Sequence, residues 1–224
     1  MTNTVVVAGG TGALGVAVTA EFLRAGWRVV VPGRSEESLA RLGTDPALNP
    51  IVADPFDPAG TADVVALAAS DENAPLTALV NLVGGFASGA RVHETPVEDF
   101  ESILRLNLRP TYLITREVLP HLVAAGGGAI VCTSSRAAQH PFSGAAGYIT
   151  AKAGVIAFAD ALHAEYARDG IRVNTILPGT IDTPANRAAM PGADTSRWTP
   201  PDRIAAVVRS LVETEGFDGA HLTV

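Results

Sequence analysis

The sequence predicts an α/β fold, a doubly wound parallel sheet of about seven strands with helices on both faces. Two kinds of apolar segment alternate along the 224 residues, short β-branched runs and longer Ala-rich stretches with helical spacing. The short runs are continuously apolar rather than alternating, which is typical of strands buried on both faces. The alternation of strand and helix then favours βαβ units around a parallel sheet.

Seven short runs are predicted as strands. They are TVVVA (4–8), RVVV (28–31), PIVA (50–53), ALVNLV (78–83), AIVCTS (129–134), RVNTIL (172–177) and the weaker AHLTV (220–224). The stretches with helical spacing between them are 14–25, 59–70, 97–124, 147–168 and 201–214. Glycines that we expect to end helices are Gly26, Gly170 and Gly216. Pro110 is expected to kink or restart the helix of 97–124.

Composition predicts one globular domain over residues 1–224. The chain is 47% hydrophobic and 17% charged, and it contains no linker, repeat or low-complexity tract. A net charge of −7 without any Lys/Arg cluster argues against a nucleic-acid partner. No apolar run reaches the length of about 18 residues that a membrane span needs, so no membrane partner is expected.

The cysteine and histidines favour a cytoplasmic protein without a metal site. Cys132 is the only cysteine, which fits a reducing compartment, and it is interpreted as a small core residue. The N-terminus has no basic segment before its apolar run, so no signal peptide is predicted. The histidines show no metal-ligand spacing; they are His93, His121, His140, His163 and His221.

A glycine turn follows the first strand and opens the first helix. In AGGTGALG (8–15), three glycines match the G-x-G-x-x-G pattern of dinucleotide sites in the required strand–helix context. Glycine lets the backbone approach a pyrophosphate, and the free N–H groups of a helix start bind anions. The alternative is a tight turn without a ligand. The residues predicted to contact the cofactor here are Gly9, Thr11, Gly12, Leu14 and Gly15.

The end of the second strand favours NADP(H) over NAD(H), although NAD(H) stays possible. A site for NAD would place Asp or Glu there, whereas this chain has Gly33 followed by Arg34. A guanidinium can bind a 2′-phosphate through a charge-assisted pair. The alternative is that Arg34 is a solvated loop residue. Asp54, after the third strand, is predicted to receive the adenine amino group.

Tyr148 and the only lysine of the chain, Lys152, lie four residues apart in a helical stretch. This spacing puts both side chains on one face of a helix. A tyrosine that acts as an acid near neutral pH needs a lowered pKa, and a neighbouring cation would provide it. The compact ammonium can also divide its donors among ribose hydroxyls and a relay water. The alternative is a chance pairing on the surface.

Taken together in order and spacing, six segments identify a family resemblance. They are AGGTGALG (8–15), NLVGG (81–85), LNLRP with Asn107, IVCTSS (130–135), YITAK (148–152) and NTILPGTIDTP (174–184). The chain resembles the short-chain dehydrogenase/reductase family, in its single-domain branch, over essentially its whole length. The resemblance implies a Rossmann-like fold and reversible hydride transfer between nicotinamide and a carbonyl or alcohol carbon of a small molecule.

The resemblance also implies roles for individual residues. Ser135, Tyr148 and Lys152 correspond to the catalytic residues, with Asn107 holding a relay water. Asn81 and Gly84 correspond to the motif beneath the adenosine. The nicotinamide clamp corresponds to Pro178, Gly179, Ile181 and Thr183. The chain departs from the family pattern at Ala8, Ala13, Leu82 and Val83, which concerns cofactor contacts rather than the reacting groups.

Two other functions stay open. GGFASG (84–89) and 182–200 are similar to the dihydropteridine reductase subgroup, which would reduce a quinonoid heterocycle. However, Ser135 and Arg34 favour an ordinary carbonyl reductase. A non-catalytic regulator that senses NADP is the other alternative, and the intact acid machinery counts against it.

The remaining predictions concern the substrate pocket and the oligomeric state. Residues that would line a substrate pocket or fill the core are Phe86, Phe142, Met190 and Trp198. Arg136 could meet an anionic substrate, but this is the less favoured interpretation. The resemblance implies a homodimer or homotetramer that pairs through the helices 97–124 and 147–168.

Overall fold

A computed structural model describes residues 2–224, and its centre is one seven-stranded parallel sheet in the order β3-β2-β1-β4-β5-β6-β7. The strands are β1 (Thr4–Ala8), β2 (Arg28–Gly33), β3 (Leu48–Val52), β4 (Leu76–Asn81), β5 (Gly128–Thr133), β6 (Ile171–Leu177) and β7 (His221–Thr223). The chain adds strands on one side of β1 and then returns to place β4 on the other side. This confirms the predicted fold class and puts a topological switch between β1 and β4.

Five long helices fall in the stretches that the sequence predicted, and two short ones were missed. The helices are α1 (Ala13–Arg24), α2 (Glu36–Ala40), α3 (Pro58–Ala68), α4 (Val97–Ala124), α5 (Ala146–Tyr166), α6 (Pro184–Ala189) and α7 (Pro201–Glu213). The missed helices, α2 and α6, have five and six residues, too few to show a helical period. Both begin at a side-chain cap, Ser35 for α2 and Thr183 for α6.

The sheet has a core on each face, as the continuously apolar strands predicted. On one face α1 and α7 pack on the strands, with Phe22 and Ile204 fully buried. On the other face α3, α4 and α5 cover the sheet, with Leu122 among the fully buried side chains. Because successive strand residues point to opposite faces, Val5 and Val6 enter different cores. The two layers hold the carboxyl ends of the strands in a fixed row.

Three local predictions are corrected by the structure. The third strand starts at Leu48 rather than at residue 50, because this edge strand is only partly buried and carries a weak apolar signal. The helix α4 is not restarted at Pro110 but is continuous through it. Gly26 and Gly170 take the left-handed φ of a helix end, at +82° and +73°. Gly216 does not, and α7 ends before it at Glu213.

Among residues 2–224, no helix has the length and apolar character that crossing a membrane would require. The same residues contain no group of three or more His, Cys, Asp or Glu side chains placed to hold a metal ion.

Candidate active site

A cavity of about 800 Å³ opens at the carboxyl ends of the strands, beside the switch between β1 and β4. This is where an open α/β sheet places its ligands, and the volume is in the range of small-molecule sites. The cavity extends from the glycine turn after β1 to the residues after β5 and β6. It therefore joins the glycine turn to Tyr148 and Lys152, which lie far from that turn in the sequence.

The glycine turn presents an uncapped helix start to this cavity. Gly12 is the N-cap of α1, and no side chain bonds the first N–H groups of the helix. A side chain at Gly15 would overlap the backbone of Gly9, and one at Gly10 would come 2.5 Å from Cγ1 of Val31. Gly9 has φ +83°, which favours glycine. The free N–H groups and the bare backbone fit a pyrophosphate.

Four of the five residues predicted to contact the cofactor at this turn line the cavity. They are Gly9, Gly12, Leu14 and Gly15. Thr11 is half-buried within the turn but is not a lining residue. Ala13 does line the cavity and was not predicted, because an alanine inside a glycine motif carries no chemical signal of its own.

Arg34 and Asp54 lie outside this cavity, at the neighbouring strand ends. Arg34 directly follows β2 and is exposed. Asp54 follows β3, is also exposed, and its Oδ1 accepts a hydrogen bond of 2.9 Å from the N–H of Phe56. A small apolar crevice is lined in part by Asp54, Pro32 and Val83. Both residues are thus on the same edge of the sheet as the cavity, on the β2–β3 side of the glycine turn.

The helix α5 brings Tyr148 and Lys152 to the cavity one turn apart. The Nζ of Lys152 lies 6.0 Å from the centroid of the Tyr148 ring and donates a 3.0 Å hydrogen bond to the carbonyl of Thr133. Ser134 is buried, and its hydroxyl donates to the carbonyl of Lys152 at 2.7 Å. These bonds attach α5 to the end of β5, so that the two side chains have fixed positions.

Ser135 lines the cavity beside Tyr148. Its Oγ accepts a 3.2 Å hydrogen bond from the N–H of Ala137. Ser135 thereby caps the start of a single helical turn at Arg136–Ala138. Ser135 and Ser134 therefore differ in function within the structure. Ser134 connects two elements inside the protein, whereas Ser135 is half-exposed toward the space where a substrate would lie.

The sequence predicted that Lys152 lowers the pKa of Tyr148, and the structure corrects this prediction. The pKa of Tyr148 is raised above its usual value, chiefly because the phenol is buried, and a hydrogen bond with Ser135 only partly offsets this. The ammonium of Lys152 is bonded to Thr133 rather than to the phenol. The phenol is consequently protonated at neutral pH, which suits a proton donor.

Burial also governs the two titratable groups behind the tyrosine. Lys152 is 5% exposed, and desolvation lowers its pKa to about 8, with a smaller opposite effect from Cys132. Desolvation raises the pKa of the Cys132 thiol to about 12. Cys132 is fully buried in β5, as predicted for a small core residue.

Asn107 is buried in α4 and braces the loop after β4. Its Nδ2 donates to the carbonyls of Gly85 and Ile103 at 3.1 and 2.9 Å, and its Oδ1 accepts from the N–H of Gly85 at 3.2 Å. A side chain at Gly84 would come 2.6 Å from Oδ1 of Asn107 and 2.9 Å from Nζ of Lys152. Asn107 and Lys152 therefore both lie next to Gly84 and leave no room for a side chain at that position.

Asn81 is also buried, and it does not line the cavity. Its Nδ2 donates to Oγ1 of Thr111 at 2.7 Å, and its Oδ1 accepts from the N–H of Val83 at 3.2 Å. The hydroxyl of Thr111 donates in turn to the carbonyl of Asn107. This chain of bonds fixes the end of β4 against α4, below the cavity.

The segment after β6 supplies another wall. Pro178, Gly179 and Ile181 line the cavity, and so does Thr180, which was not predicted. Thr183 does not line it. Its Oγ1 instead accepts a 3.1 Å hydrogen bond from the N–H of Asn186 and caps α6.

Aromatic side chains form the wall next to Tyr148. The ring of Phe86 lies edge-on to that of Tyr148, with centroids 5.0 Å apart, and Phe142 lies 6.4 Å from Phe86. Phe86 is 62% exposed and Phe142 48%, so neither fills the core. Met190 also lines the cavity, whereas Trp198 does not. Three of these four residues therefore lie at the cavity, whereas Trp198 is half-buried and belongs to neither the cavity lining nor the two core clusters.

Comparison with known proteins agrees with this geometry. Residues 3–193 match a family model described as short chain dehydrogenase. The chain is 34% identical over 191 residues to a 2-(R)-hydroxypropyl-CoM dehydrogenase of Xanthobacter autotrophicus, covering 82% of this chain and 76% of that protein.

Two solved structures are similar over almost the whole chain. A 3-ketoacyl-(acyl-carrier-protein) reductase from Brucella melitensis, complexed with NADH, has a TM-score of 0.88 at 25% identity and covers 99% of this chain and 96% of its own. ElxO with NADP bound has a TM-score of 0.91 at 22% identity, covering 100% and 97%. The second similarity concerns the fold alone.

Proposed function

The chain belongs to the short-chain dehydrogenase family, and from this premise we propose that it transfers a hydride reversibly between nicotinamide and a carbonyl or alcohol carbon of a small molecule. One observation carries the proposal. A single cavity joins the uncapped start of α1 to Ser135, Tyr148 and Lys152. Because one sheet positions both halves of the site, we treat residues 1–224 as one catalytic domain.

In this proposal the chain's residues hold the cofactor along the row of strand ends. The N–H groups at the start of α1 bind the pyrophosphate. The ammonium of Lys152 binds ribose hydroxyls, and the wall of Pro178, Gly179 and Ile181 contacts the nicotinamide. A bound nicotinamide supplies or accepts the hydride.

Tyr148 is the general acid of the proposed reaction. Its phenol donates a proton to the substrate oxygen, a role that contributes typically 10²–10⁴-fold to rate. The hydroxyl of Ser135 donates a hydrogen bond to the same oxygen and stabilises the negative charge that develops there. Asn107 positions a relay water in this scheme, and its side-chain amide also holds the loop of Gly84 and Gly85 beside Lys152.

We favour NADP(H) as the cofactor, with NAD(H) possible. The support is the exposed Arg34 at the end of β2, where no carboxylate side chain follows the strand directly. The NADH complex of the similar Brucella reductase keeps NAD(H) open.

Arg34→Asp should shift cofactor preference toward NADH. The ratio of kcat/KM with NADPH to that with NADH is expected to fall by about tenfold or more, because a charge-assisted pair is lost and a carboxylate repels the 2′-phosphate. Steady-state kinetics with both cofactors measure this ratio. The matched control is Arg41→Asp, which makes the same charge change on the exposed surface after α2 and should leave the ratio unchanged. An unaltered ratio in Arg34→Asp would show that Arg34 does not contact the 2′-phosphate.

A quinonoid heterocycle is the second candidate substrate, because the exposed rings of Phe86 and Phe142 could stack on a planar ring system. A panel of aldehydes, ketones and quinonoid dihydropterin, followed by the loss of NADPH and NADH absorbance, separates the candidates. Reduction of ketones supports the first proposal, and reduction of the pterin alone supports the second. Tight NADPH binding with no turnover across the panel would favour a sensor and contradict both.

We also propose that α4 and α5 pair two copies of the chain, as a homodimer or within a homotetramer. Tyr112 is 53% exposed on α4, and its ring lies 6.1 Å from that of Phe158 on α5. Together with Pro120 and Leu162 these residues line an apolar groove between the two helices.

A further inference from the structure

The segment directly after Ser135, residues 136–140, presents two basic side chains to the active-site cavity. The N–H of Arg136 donates to the carbonyl of Pro178 at 3.0 Å, and the N–H of His140 donates to the carbonyl of Arg136 at 2.8 Å. Both side chains line the cavity. The proposed chemistry uses neither of them.

The charge of the cavity is opposite to the charge of the chain. The chain has 23 Asp and Glu against 16 Lys and Arg, yet none of the described residues that line the cavity is an Asp or Glu. Its charged lining residues are Lys152 and Arg136, and the imidazole of His140 also lines it. A cleft lined by one sign of charge concentrates ligands of the opposite sign.

The charged groups of Lys152 and Arg136 differ in their hydrogen-bond and ion-pair partners. Lys152 is buried and donates to Thr133. Arg136 is exposed and makes no ion pair with any carboxylate within residues 2–224. The guanidinium of Arg136 is therefore available to a ligand.

The side chain of Arg136 lies against Gly179. A Cβ at Gly179 would be 3.3 Å from Cδ and 3.4 Å from Nη1 of Arg136. The arginine side chain thus lies along the wall after β6, in a space that the missing side chain leaves. This places its charge within the cavity that contains Ser135 and Tyr148.

The position of Arg136 separates it from the phosphates of a dinucleotide. The uncapped helix start follows β1, and Arg34 follows β2, on the far side of β1 from β5. Arg136 follows β5, which is two strands from β1 in the opposite direction. At a strand spacing of about 4.8 Å the lateral separation from β1 is about 10 Å. An anion held by Arg136 therefore belongs to the other reactant.

Building on the proposed function, we infer that Arg136 and His140 form a carboxylate-binding subsite, so that the preferred substrate is a carbonyl compound with an anionic carboxylate near its C=O. The planar fork of arginine matches a carboxylate, and the imidazole of His140 can donate a further hydrogen bond. The remaining, apolar part of the substrate packs against Phe86 and Phe142. Arg136 is thus a specificity residue rather than a member of the proton-transfer group.

The test compares an acid with its neutral ester. Benzoylformate and methyl benzoylformate share the same ketone and phenyl ring, and only the first carries a carboxylate. The wild type should have a kcat/KM about tenfold or more higher for the acid. Arg136→Gln should remove this preference by raising KM for the acid, while kcat/KM for the ester and the dissociation constant of NADPH change by no more than about twofold. Arg168→Gln is the matched control, an exposed arginine before β6 at the opposite edge of the sheet, and should retain the preference.

Calorimetric titration of both compounds into the protein with NADPH, in the Tyr148→Phe background, gives a result that does not depend on turnover. Binding of the acid that is tighter than that of the ester and weakened about tenfold by Arg136→Gln supports the subsite, even if the proposed reaction fails. Equal binding of acid and ester, or an unchanged acid affinity in Arg136→Gln, overturns the subsite and leaves hydride transfer to neutral ketones intact. Weakened NADPH binding in Arg136→Gln would also overturn it, because Arg136 would then belong to the cofactor site.

Discussion

Tyr148→Phe is expected to lower kcat/KM for carbonyl reduction by about 10²–10⁴-fold, because it removes the proton donor and little else. The phenylalanine ring preserves the edge-on contact with Phe86. Since Lys152 is attached to Thr133 rather than to the phenol, its position should survive the substitution. The dissociation constant of NADPH, measured by nicotinamide fluorescence, should therefore change by no more than about twofold.

Tyr166→Phe is the matched control for this experiment. It removes a phenol hydroxyl from the other end of the same helix, α5, outside the cavity. We expect near wild-type kinetics for this variant. Near wild-type turnover in Tyr148→Phe itself would remove Tyr148 from the role of general acid. A loss of NADPH binding equal to the loss of activity would instead assign it to the cofactor site.

Lys152→Met is expected to change how stability depends on pH, because this is a buried ammonium. Its pKa falls from 10.5 to about 8 on folding, so between these values the unfolded chain binds more protons than the folded chain. The free energy of unfolding therefore rises with pH across this window. A difference of about 2.5 pKa units corresponds to about 3 kcal/mol. Methionine has no such proton, and the variant's stability relative to wild type should fall by about 3 kcal/mol from pH 7 to pH 10.5.

Denaturant unfolding of both proteins at pH 7, 8.5 and 10.5 measures this difference. Cys132 acts in the opposite direction, since its pKa rises from 9.0 to about 12 on folding and its contribution decreases above pH 9. It is present in both proteins, so it largely cancels in the comparison. A stability difference that is constant with pH would show that Lys152 does not titrate as a buried group. Activity of the variant should be strongly reduced at every pH, because the contact that we propose between Lys152 and the ribose would be lost.

The parts of the structure that follow from local pattern were predictable from the sequence. Continuous apolar runs predicted strands buried on both faces, and the glycine turn between β1 and α1 predicted an anion site. Tyr148 and Lys152 were placed together because four residues make about one helical turn. Four residues came from the family resemblance and lie at the same cavity, Ser135, Pro178, Gly179 and Ile181.

Other features depend on contacts between distant segments and have no local signature. The predicted direction of the Tyr148 pKa shift was wrong because burial, which the sequence does not reveal, raises the pKa more than the hydrogen bond with Ser135 lowers it. The capping of α6 by the hydroxyl of Thr183 was not predicted, and the proposed contact of Thr183 with the nicotinamide stays a prediction. Asn107 and Asn81 bond to loop and helix atoms in the protein interior. The approach of Arg136 to Gly179 depends on the pairing of β5 with β6.

The return of the chain from β3 to place β4 beside β1 has a consequence for synthesis on the ribosome. The pairs Ala8–Asn81 and Asn81–Cys132 join segments that emerge far apart in time, and such long-range pairing is slow to form. The dinucleotide crevice needs β1, β4 and β5 together, so a nascent chain that has exposed only its first half offers no completed crevice. A dinucleotide bound as we propose would therefore be captured late in maturation and would stabilise only chains that have assembled the central strands.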